Sequence, residues 1–232
     1  MSAPTSVPTG PGRGAGHPRV LGRDDVGAAA RVFAHAFMVE PGGAGLFPDP
    51  TLRLRLLEHT GRLIVERALR HATAYGVDAD GQLAALAVWD PPGVRPRLPP
   101  LRTLPTLLRR TALIAGELPT VAGTVRGHRR ELLRLGLDRQ RAVRVASRGP
   151  SWHLGFLATH PDHQGRGFGR ALVDHVLRRC DEDALPAWLE TTDPVNPPIY
   201  ERLGFFTVAR IDRAAWLPGL WVMRREPRTV TV

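Results

Sequence analysis

Ser151 to Cys180, SWHLGFLATHPDHQGRGFGRALVDHVLRRC, is the stretch that decides the fold. Trp152 to Thr159 is an apolar run with the aromatic and β-branched content typical of a buried strand. Residues 160–163 interrupt that run, residues 164–169 are rich in glycine, and the apolar residues that follow recur at helical spacing. The stretch therefore predicts a strand, a glycine-rich turn and an amphipathic helix.

The glycine-rich turn predicts a site for a phosphate-bearing ligand. Gly165, Gly167 and Gly169 leave the backbone N–H groups accessible where a helix begins, and the helix dipole adds partial positive charge there. A dinucleotide-binding fingerprint would have glycine in place of Arg170, and a nucleotide P-loop would need lysine, which the chain lacks. The alternative is a turn that serves only the geometry of the strand-to-helix junction.

The spacing Gln164-x-x-Gly167-x-Gly169 resembles the motif with which the GCN5-related N-acetyltransferase (GNAT) family binds the pyrophosphate of acetyl-CoA. The resemblance implies an α/β fold, an α+β mixed sheet of the acyl-CoA N-acyltransferase type. It also implies that the cofactor's phosphates contact Gln164, Gly165, Arg166, Gly167, Gly169 and Arg170. In that family the central strand separates from the next one, and the pantetheine arm lies between them. Backbone groups of Leu157, Ala158 and Thr159 match the positions that pair with the arm, and the N–H of Leu157 would face the thioester oxygen.

A second segment, Asn196 to Phe205, resembles the family's N-x-x-x-Y-x-x-x-G-F pattern. The resemblance implies that Tyr200 is the general acid that protonates the leaving thiolate and that Asn196 contacts the pantetheine arm. The alternative for Tyr200 is a core residue of a short helix.

Two residues compete for the role of general base. His153 lies four residues before Leu157, and an imidazole can take up a proton near neutral pH; the arylalkylamine acetyltransferases of the family carry histidine at the matching place. Glu190 ends the neighbouring strand and could accept a proton directly or through water. Each could instead be a hydrogen-bonded polar residue at a strand end, so the choice stays open.

The rest of the chain predicts one domain with an added helical segment. A strand from Arg19, a helix begun by Asp24, a loop from Pro41 to Pro50 and a helix from Thr51 to about Arg70 precede a hairpin of two strands that turns at residues 78–81. Residues 92–149 are too long for a plain loop and show helical periodicity at 104–118 and 121–137, with a polar linker at 141–149. We expect a helical insertion here, between the third and fourth strands, that shapes an acceptor pocket, mediates a homodimer contact or covers the core. Short strands at 187–191, 205–211 and 220–224 complete the sheet, with 19–226 as the domain and 1–18 and 227–232 as tails, the first of them disordered.

The amino-acid composition indicates which classes of partner to expect. The 232 residues are 43% hydrophobic with a net charge of +10, and every one of the 32 basic residues is arginine. Because the arginines are spread along the chain without an aromatic cluster, we expect no nucleic-acid partner. No apolar run is long enough to span a bilayer, and the start lacks the apolar centre of a secretion signal, so we expect no membrane partner. The single cysteine, Cys180, fits a cytoplasmic protein.

Within the family the likeness is closest to the puromycin N-acetyltransferases, although residues 92–149 depart from them. The sequence therefore predicts an acetyl-CoA-dependent enzyme that acetylates a primary amine of a small molecule, in antibiotic resistance or secondary metabolism. Acetylation of a protein amine, or CoA binding without turnover, are the alternatives. His160, Asp162 and His163 have the spacing of a turn rather than of a metal site, and the family needs no metal.

Overall fold

A computed structural model describes residues 16–71, 73–93 and 116–228. They form a seven-stranded mixed sheet in the order β1-β2-β3-β4-β5-β7-β6. The strands are Arg19–Val20 (β1), Ala74–Ala79 (β2), Gln82–Asp90 (β3), Trp152–Thr159 (β4), Ala187–Thr191 (β5), Phe206–Ile211 (β6) and Leu220–Arg225 (β7). Every neighbouring pair is antiparallel except β4 and β5. This confirms the mixed α/β sheet.

Helices cover both faces of the sheet. They are Val26–Phe37 (α1), Pro41–Leu46 (α2), Pro50–Ala68 (α3), Leu118–Gly127 (α4), Arg129–Ala146 (α5), Phe168–Glu182 (α6) and Asn196–Glu201 (α7). The apolar side of α6 packs on one face together with Tyr200 and Phe205, while α1 and α3 pack on the other. Farther along that second face, α5 packs against β5, β6 and β7. The sheet is therefore buried between two helical layers along most of its width.

The hairpin between β2 and β3 turns as its sequence predicts. Asp80 and Gly81 have φ of 53° and 76°, the left-handed pair that a tight two-residue turn requires. An aspartate followed by glycine adopts that pair at low cost. The turn fixes the register of β2 against β3, with Ala79 opposite Gln82.

The expected loop from Pro41 to Pro50 is wrong, because residues 41–46 form the short helix α2. Two glycines normally weaken a helix. Here the carboxylate of Glu40 accepts hydrogen bonds from the N–H groups of Gly42 and Gly43, at 3.1 and 2.7 Å, and proline occupies the first helical position. Gly42 and Gly45 also lie against Leu217 and Trp216 so closely that a Cβ would clash. Tertiary packing therefore selects this helix.

The polar linker expected at residues 141–149 is also wrong, because α5 continues to Ala146. Ala142 and Ala146, one helical turn apart, are buried against Trp188 and Val222. Small side chains let the helix approach the sheet. The helix predicted at 121–137 is present as parts of α4 and α5, whereas most of the one predicted at 104–118 lies outside the described residues. These helices do lie between β3 and β4, but whether they are an insertion relative to the family stays a prediction.

The described chain begins at Gly16, which already packs against β2. The remainder of the predicted N-terminal tail, and residues 229–232, lie outside the described residues. Among the helices that the structure describes, none is long and apolar enough to cross a bilayer.

A buried ion pair joins the end of α6 to the last strand. Two guanidinium nitrogens of Arg225 donate to the two carboxylate oxygens of Asp181, both at 2.8 Å, and its Nε donates to the carbonyl of Leu203 at 3.1 Å. The side chain of Arg225 is 3% exposed. Burial would raise the pKa of Asp181, but the hydrogen bonds from Arg225 and from the N–H of Arg228 outweigh burial and lower this pKa below its ordinary 3.8.

We expect Asp181→Asn to lower the free energy of unfolding by about 3 to 5 kcal/mol, because Arg225 then keeps a buried charge without a counterion. A carboxylate whose pKa is lowered by folding stabilises the protein at every pH above its ordinary pKa, and this contribution disappears as the pH falls through the folded-state pKa. The difference between the two proteins should therefore persist from neutral pH down to about pH 4 and close only in stronger acid. Urea unfolding across this pH range measures it.

Asp183→Asn is the matched control, since Asp183 makes an exposed pair with Arg179 at the same helix end. Its loss should stay below about 1 kcal/mol. Equal losses at the two positions would contradict the importance of the Arg225 pair.

Candidate functional site

A gap opens between the two central strands. β4 and β5 pair at only three positions, of which the last joins Leu154 to Leu189. Beyond it β4 continues for five residues, to Thr159, with β3 as its only neighbouring strand among the described residues. A bulge starts this separation: β3 pairs Val88 with Phe156 and Trp89 with Leu154, which leaves Gly155 unpaired. The result is an open slot along one edge of β4.

Backbone groups of β4 face this slot at alternate residues. The N–H of His160, the residue just after β4, donates to the carbonyl of Ala84 in β3. In a regular antiparallel ladder the residues two apart point the same way, so Ala158 also directs its backbone toward β3. Leu157 and Thr159 therefore direct their N–H and C=O groups into the slot. The side-chain amide of Gln164 donates to the Thr159 carbonyl at 3.3 Å.

The glycine-rich turn lies at the end of the same strand. Gly165 and Gly167 have φ of 74° and 84°, and Gly167 is the N-cap residue just before α6. No backbone N–H of residues 165–170 donates a hydrogen bond to another described residue. A Cβ at Gly169 would lie 3.4 Å from Thr159 Oγ1, so α6 approaches β4 closely at its first turn. This run of unpaired donors at a helix N-terminus is a ready site for an anion.

The two arginines of the turn are held by carboxylates. Arg166 pairs with Asp80 at 3.3 Å and lies over the ring of Phe168, while Arg170 pairs with Asp174 at 3.2 Å. Both side chains are largely exposed, and such pairs contribute little free energy. Either arginine side chain can therefore leave its carboxylate and contact an anion at a small cost in free energy.

Tyr200 lies in the apolar core on the α6 face of the sheet. Its ring meets Phe205 edge to face at 5.8 Å, and burial raises the pKa of its hydroxyl to about 12. The hydroxyl donates no hydrogen bond to another residue that the structure describes. Asn196 donates from its side-chain amide to Thr191 Oγ1 at 2.9 Å, which ties α7 to the end of β5.

His153 and Glu190 lie on the opposite face, beside the last strand pairs before the slot. The imidazole of His153 stacks on Trp188 with ring centroids 3.8 Å apart, and its Nδ1 lies 3.2 Å from Asp90 Oδ2. Glu190 Oε2 accepts from Arg139 at 2.5 Å, whereas Oε1 is buried and has no partner among the described residues. The structure thus brings both candidate bases to one face and the candidate acid to the other.

Asp90, Arg67 and Arg139 are site residues that the sequence analysis missed. In the sequence Asp90 precedes two prolines and a glycine and carries no motif. In the structure it is the cross-strand partner of His153 and also accepts from Arg67 at 2.9 Å. Burial would raise the pKa of Asp90, but the His153 hydrogen bond and the charge of Arg67 outweigh it and lower this pKa. The sequence gives only a weak signal for this contact: Asp90 ends one predicted strand and His153 lies near the start of another, and such residues lie side by side when the strands are neighbours.

A large cavity borders residues 160–163, which join β4 to the glycine-rich turn. It has a volume of about 760 Å³ and is lined by residues from α1, the β2–β3 turn and the segment after β4, including Arg31, His35 and His160. None of the predicted site residues lines it. Within the described ranges, no group of three histidine, cysteine or acidic side chains is placed to hold a metal ion.

Comparison with known proteins bears on this site. A family model described as "Acetyltransferase (GNAT) family" matches residues 81–205, which include β3, β4, β5, the glycine turn and Tyr200. An N-acetyltransferase of Schizosaccharomyces pombe is 36% identical over 81 residues, 34% of this chain and 33% of that protein. The L-amino acid N-acyltransferase MnaT of Escherichia coli is 30% identical over 66 residues, 27% of this chain and 38% of that protein. The chain thus matches little more than a third of the length of these curated relatives.

The fold matches solved structures over nearly the whole chain. A Corynebacterium glutamicum structure described as histone acetyltransferase HPA2 and related acetyltransferase aligns with a TM-score of 0.61 and 19% identity, covering 94% of this chain and 99% of that one. At this identity the likeness concerns the fold alone. The expected closeness to the puromycin N-acetyltransferases stays a prediction.

We expect Gly167→Ala to lower the free energy of unfolding by about 1 to 2 kcal/mol, because a Cβ strains the left-handed backbone conformation. Gly136→Ala is the control, since Gly136 lies inside α5 with open space around it. It should raise the free energy of unfolding by about 1 kcal/mol. Urea unfolding of both variants measures the two signs, and destabilisation at Gly136 or a neutral result at Gly167 would contradict this description of the turn.

Proposed function

We propose, from the premise that the chain belongs to the acetyltransferase (GNAT) family, that it transfers the acetyl group of acetyl-CoA to a primary amine of a small molecule. The amine nitrogen attacks the thioester carbon, the carbon–sulfur bond breaks, and the thiolate of CoA takes up a proton. The products are an N-acetylated amine and free CoA. This reaction needs a diphosphate site, a slot for the pantetheine arm, an acid for the sulfur and a base for the amine.

The observation that carries the proposal is the run of N–H groups at residues 165–170 that have no partner among the described residues, beside the open edge of β4. An anion at the N-terminus of α6 would accept hydrogen bonds from those N–H groups. An extended chain leaving that anion would enter the slot, where Leu157 and Thr159 present N–H and C=O groups as a strand would. A diphosphate joined to an amide-containing arm has this combination of chemistry, and CoA is such a molecule.

Gln164, Gly165, Arg166, Gly167, Gly169 and Arg170 are proposed to hold the diphosphate, and Leu157, Thr159 and Asn196 the arm. Ala158 contributes through its position in β4 rather than through its backbone groups. The N–H of Leu157 would donate to the thioester oxygen and stabilise the negative charge that forms during attack.

Tyr200 is proposed as the general acid. Its hydroxyl stays protonated far above neutral pH because burial raises its pKa to about 12. It has no described partner to compete for its proton, and the Asn196–Thr191 hydrogen bond fixes its short helix against the end of β5. A thiolate formed beside it would take that proton.

The acceptor is proposed to be a small amine, such as an amino acid, an antibiotic or a secondary metabolite, acted on in the cytoplasm. One of the matched relatives is named an L-amino acid N-acyltransferase. The carboxylates of Asp90 and Glu190 lie on one face of the sheet. The carboxylate of Glu40 accepts from Thr192, just after the end of β5. Carboxylate oxygens there can accept hydrogen bonds from an amine, although Arg67 and Arg139 offset the charges of Asp90 and Glu190.

We expect acetyl-CoA to raise the melting temperature, because it binds the folded state alone. At about 100 times its dissociation constant it contributes about 2.7 kcal/mol, or roughly 5 to 11 °C for a domain of this size. Adenosine, which lacks the diphosphate, is the control and should produce little shift. The absence of a shift with millimolar acetyl-CoA would contradict the proposed cofactor.

We expect Tyr200→Phe to lower kcat by about 100-fold or more while the dissociation constant of acetyl-CoA changes little, because only the proton donor is lost. Tyr75→Phe, at the only other tyrosine, is the matched control and should keep full turnover. Thiol release with a panel of amines measures both. Wild-type kcat should show no loss from ionisation of Tyr200 until the pH approaches 12; equal turnover of the two variants would remove Tyr200 as the acid.

A further inference from the structure

Asp90 and His153 form a partly buried side-chain pair beside the slot. They face each other across β3 and β4, and His153 Nδ1 lies 3.2 Å from Asp90 Oδ2. The Asp90 carboxylate is itself held by Arg67, whose Nη2 donates to Oδ1 at 2.9 Å. The Asp90 and His153 side chains are 15% and 21% exposed, so this pair is shielded from most of the solvent.

The imidazole is fixed from two directions. Asp90 holds Nδ1, and the indole of Trp188 stacks on the ring at 3.8 Å with an angle of 14° between the planes. Because a carboxylate accepts the proton of Nδ1–H, the neutral ring carries its free lone pair on Nε2. No described residue bonds Nε2, which leaves one nitrogen ready to accept a proton.

The ring edge lies beside Gly155 at the bulge. A Cβ built on Gly155 would lie 3.8 Å from His153 Cε1 and 3.8 Å from Asp90 Oδ2. Gly155 is also the first residue of β4 beyond its pairing with β5. The imidazole edge and its orienting carboxylate therefore meet at the entrance of the slot.

We propose that Asp90 is the positioning residue that holds His153 as the general base of the transfer. This inference rests on the proposed acetyl transfer. His153 Nε2 takes the proton that the amine nitrogen loses as its bond to the acetyl carbon forms, and the imidazolium is stabilised by the Asp90 carboxylate. Tyr200 gives its proton to the sulfur as the carbon–sulfur bond breaks, and exchange with solvent restores both residues.

Glu190 is the less suitable base because Arg139 already holds its carboxylate. Its Oε2 accepts from Arg139 at 2.5 Å and its Oε1 is buried, so neither oxygen is open to an incoming amine. The charged groups around the imidazole are thus Asp90 from β3, Arg67 from α3, and the Glu190–Arg139 pair from β5 and α5. Of these, only Asp90 contacts the ring.

The experiment is a double-mutant cycle on thiol release across pH 6 to 10, with Asp90→Asn, His153→Ala and the double variant. We expect each single variant to lower kcat by about 100-fold and to shift or remove the ascending limb of the pH–rate profile. The double variant should be no slower than His153→Ala, because Asp90 acts only through the histidine. The KM of acetyl-CoA and the melting shift that acetyl-CoA produces should stay near wild type, which also shows that the variants fold.

Two further variants keep the test sharp. Asp90→Glu, which restores a carboxylate, should recover part of kcat, and Asp183→Asn, which removes an exposed carboxylate paired with arginine, should leave kcat unchanged. Multiplicative losses in the double variant, or a wild-type pH profile in Asp90→Asn, would overturn the proposal.

Nitrogen-15 spectra of labelled histidine separate this inference from the proposed function. They should report the Nδ1–H tautomer of His153 in the wild type and its loss in Asp90→Asn. Absence of turnover in the wild type with every amine would refute the proposed function, and the tautomer would still decide whether Asp90 positions the ring. An Nε2–H tautomer in the wild type would overturn the positioning role.

Discussion

The separation of β4 from β5 is the constraint on which the rest of the structure depends. Backbone groups that leave a strand ladder must find other partners, so an open edge in the middle of a sheet is costly unless a ligand or water fills it. The outer neighbours make the opening stable. β3 pairs with β4 as far as Thr159, and β7 pairs with β5 along its whole length. Each wall of the slot is therefore held from outside, and the bulge at Gly155 turns one wall away from the other.

The two faces of the sheet give the slot two chemical environments. On the α6 face an apolar cluster surrounds Tyr200, and desolvation keeps its hydroxyl protonated. On the other face His153 and Glu190 lie among charged side chains and remain partly exposed. A proton donor needs the first environment and a proton acceptor the second. The sheet separates the proposed donor from the proposed acceptor, and the slot runs between them.

Local patterns predicted what is local. The bounds of β4 and β5 agree with their apolar runs, because a strand buried on both faces shows continuous hydrophobicity. Sequence could not predict pairs that the sheet brings together from far apart: Asp90 and His153 are 63 residues apart, and Arg139 and Glu190 are 51. It also could not predict α2, where Glu40 caps a proline–glycine segment and accepts from Thr192 across the fold. The base remained undecided for the same reason, since its environment comes from tertiary contacts.

Arginine side chains from the helical layer form ion pairs with both carboxylates beside the slot. Arg67 of α3 reaches Asp90 at the end of β3, and Arg139 of α5 reaches Glu190 near the end of β5. Both carboxylates are mostly buried, at 15% and 14% exposed, and each is paired with an arginine. Arginine suits this role because its long stem and forked head reach a carboxylate across a helix-to-sheet distance. The positions of α3 and α5 are therefore coupled to the placement of the two carboxylates beside the slot.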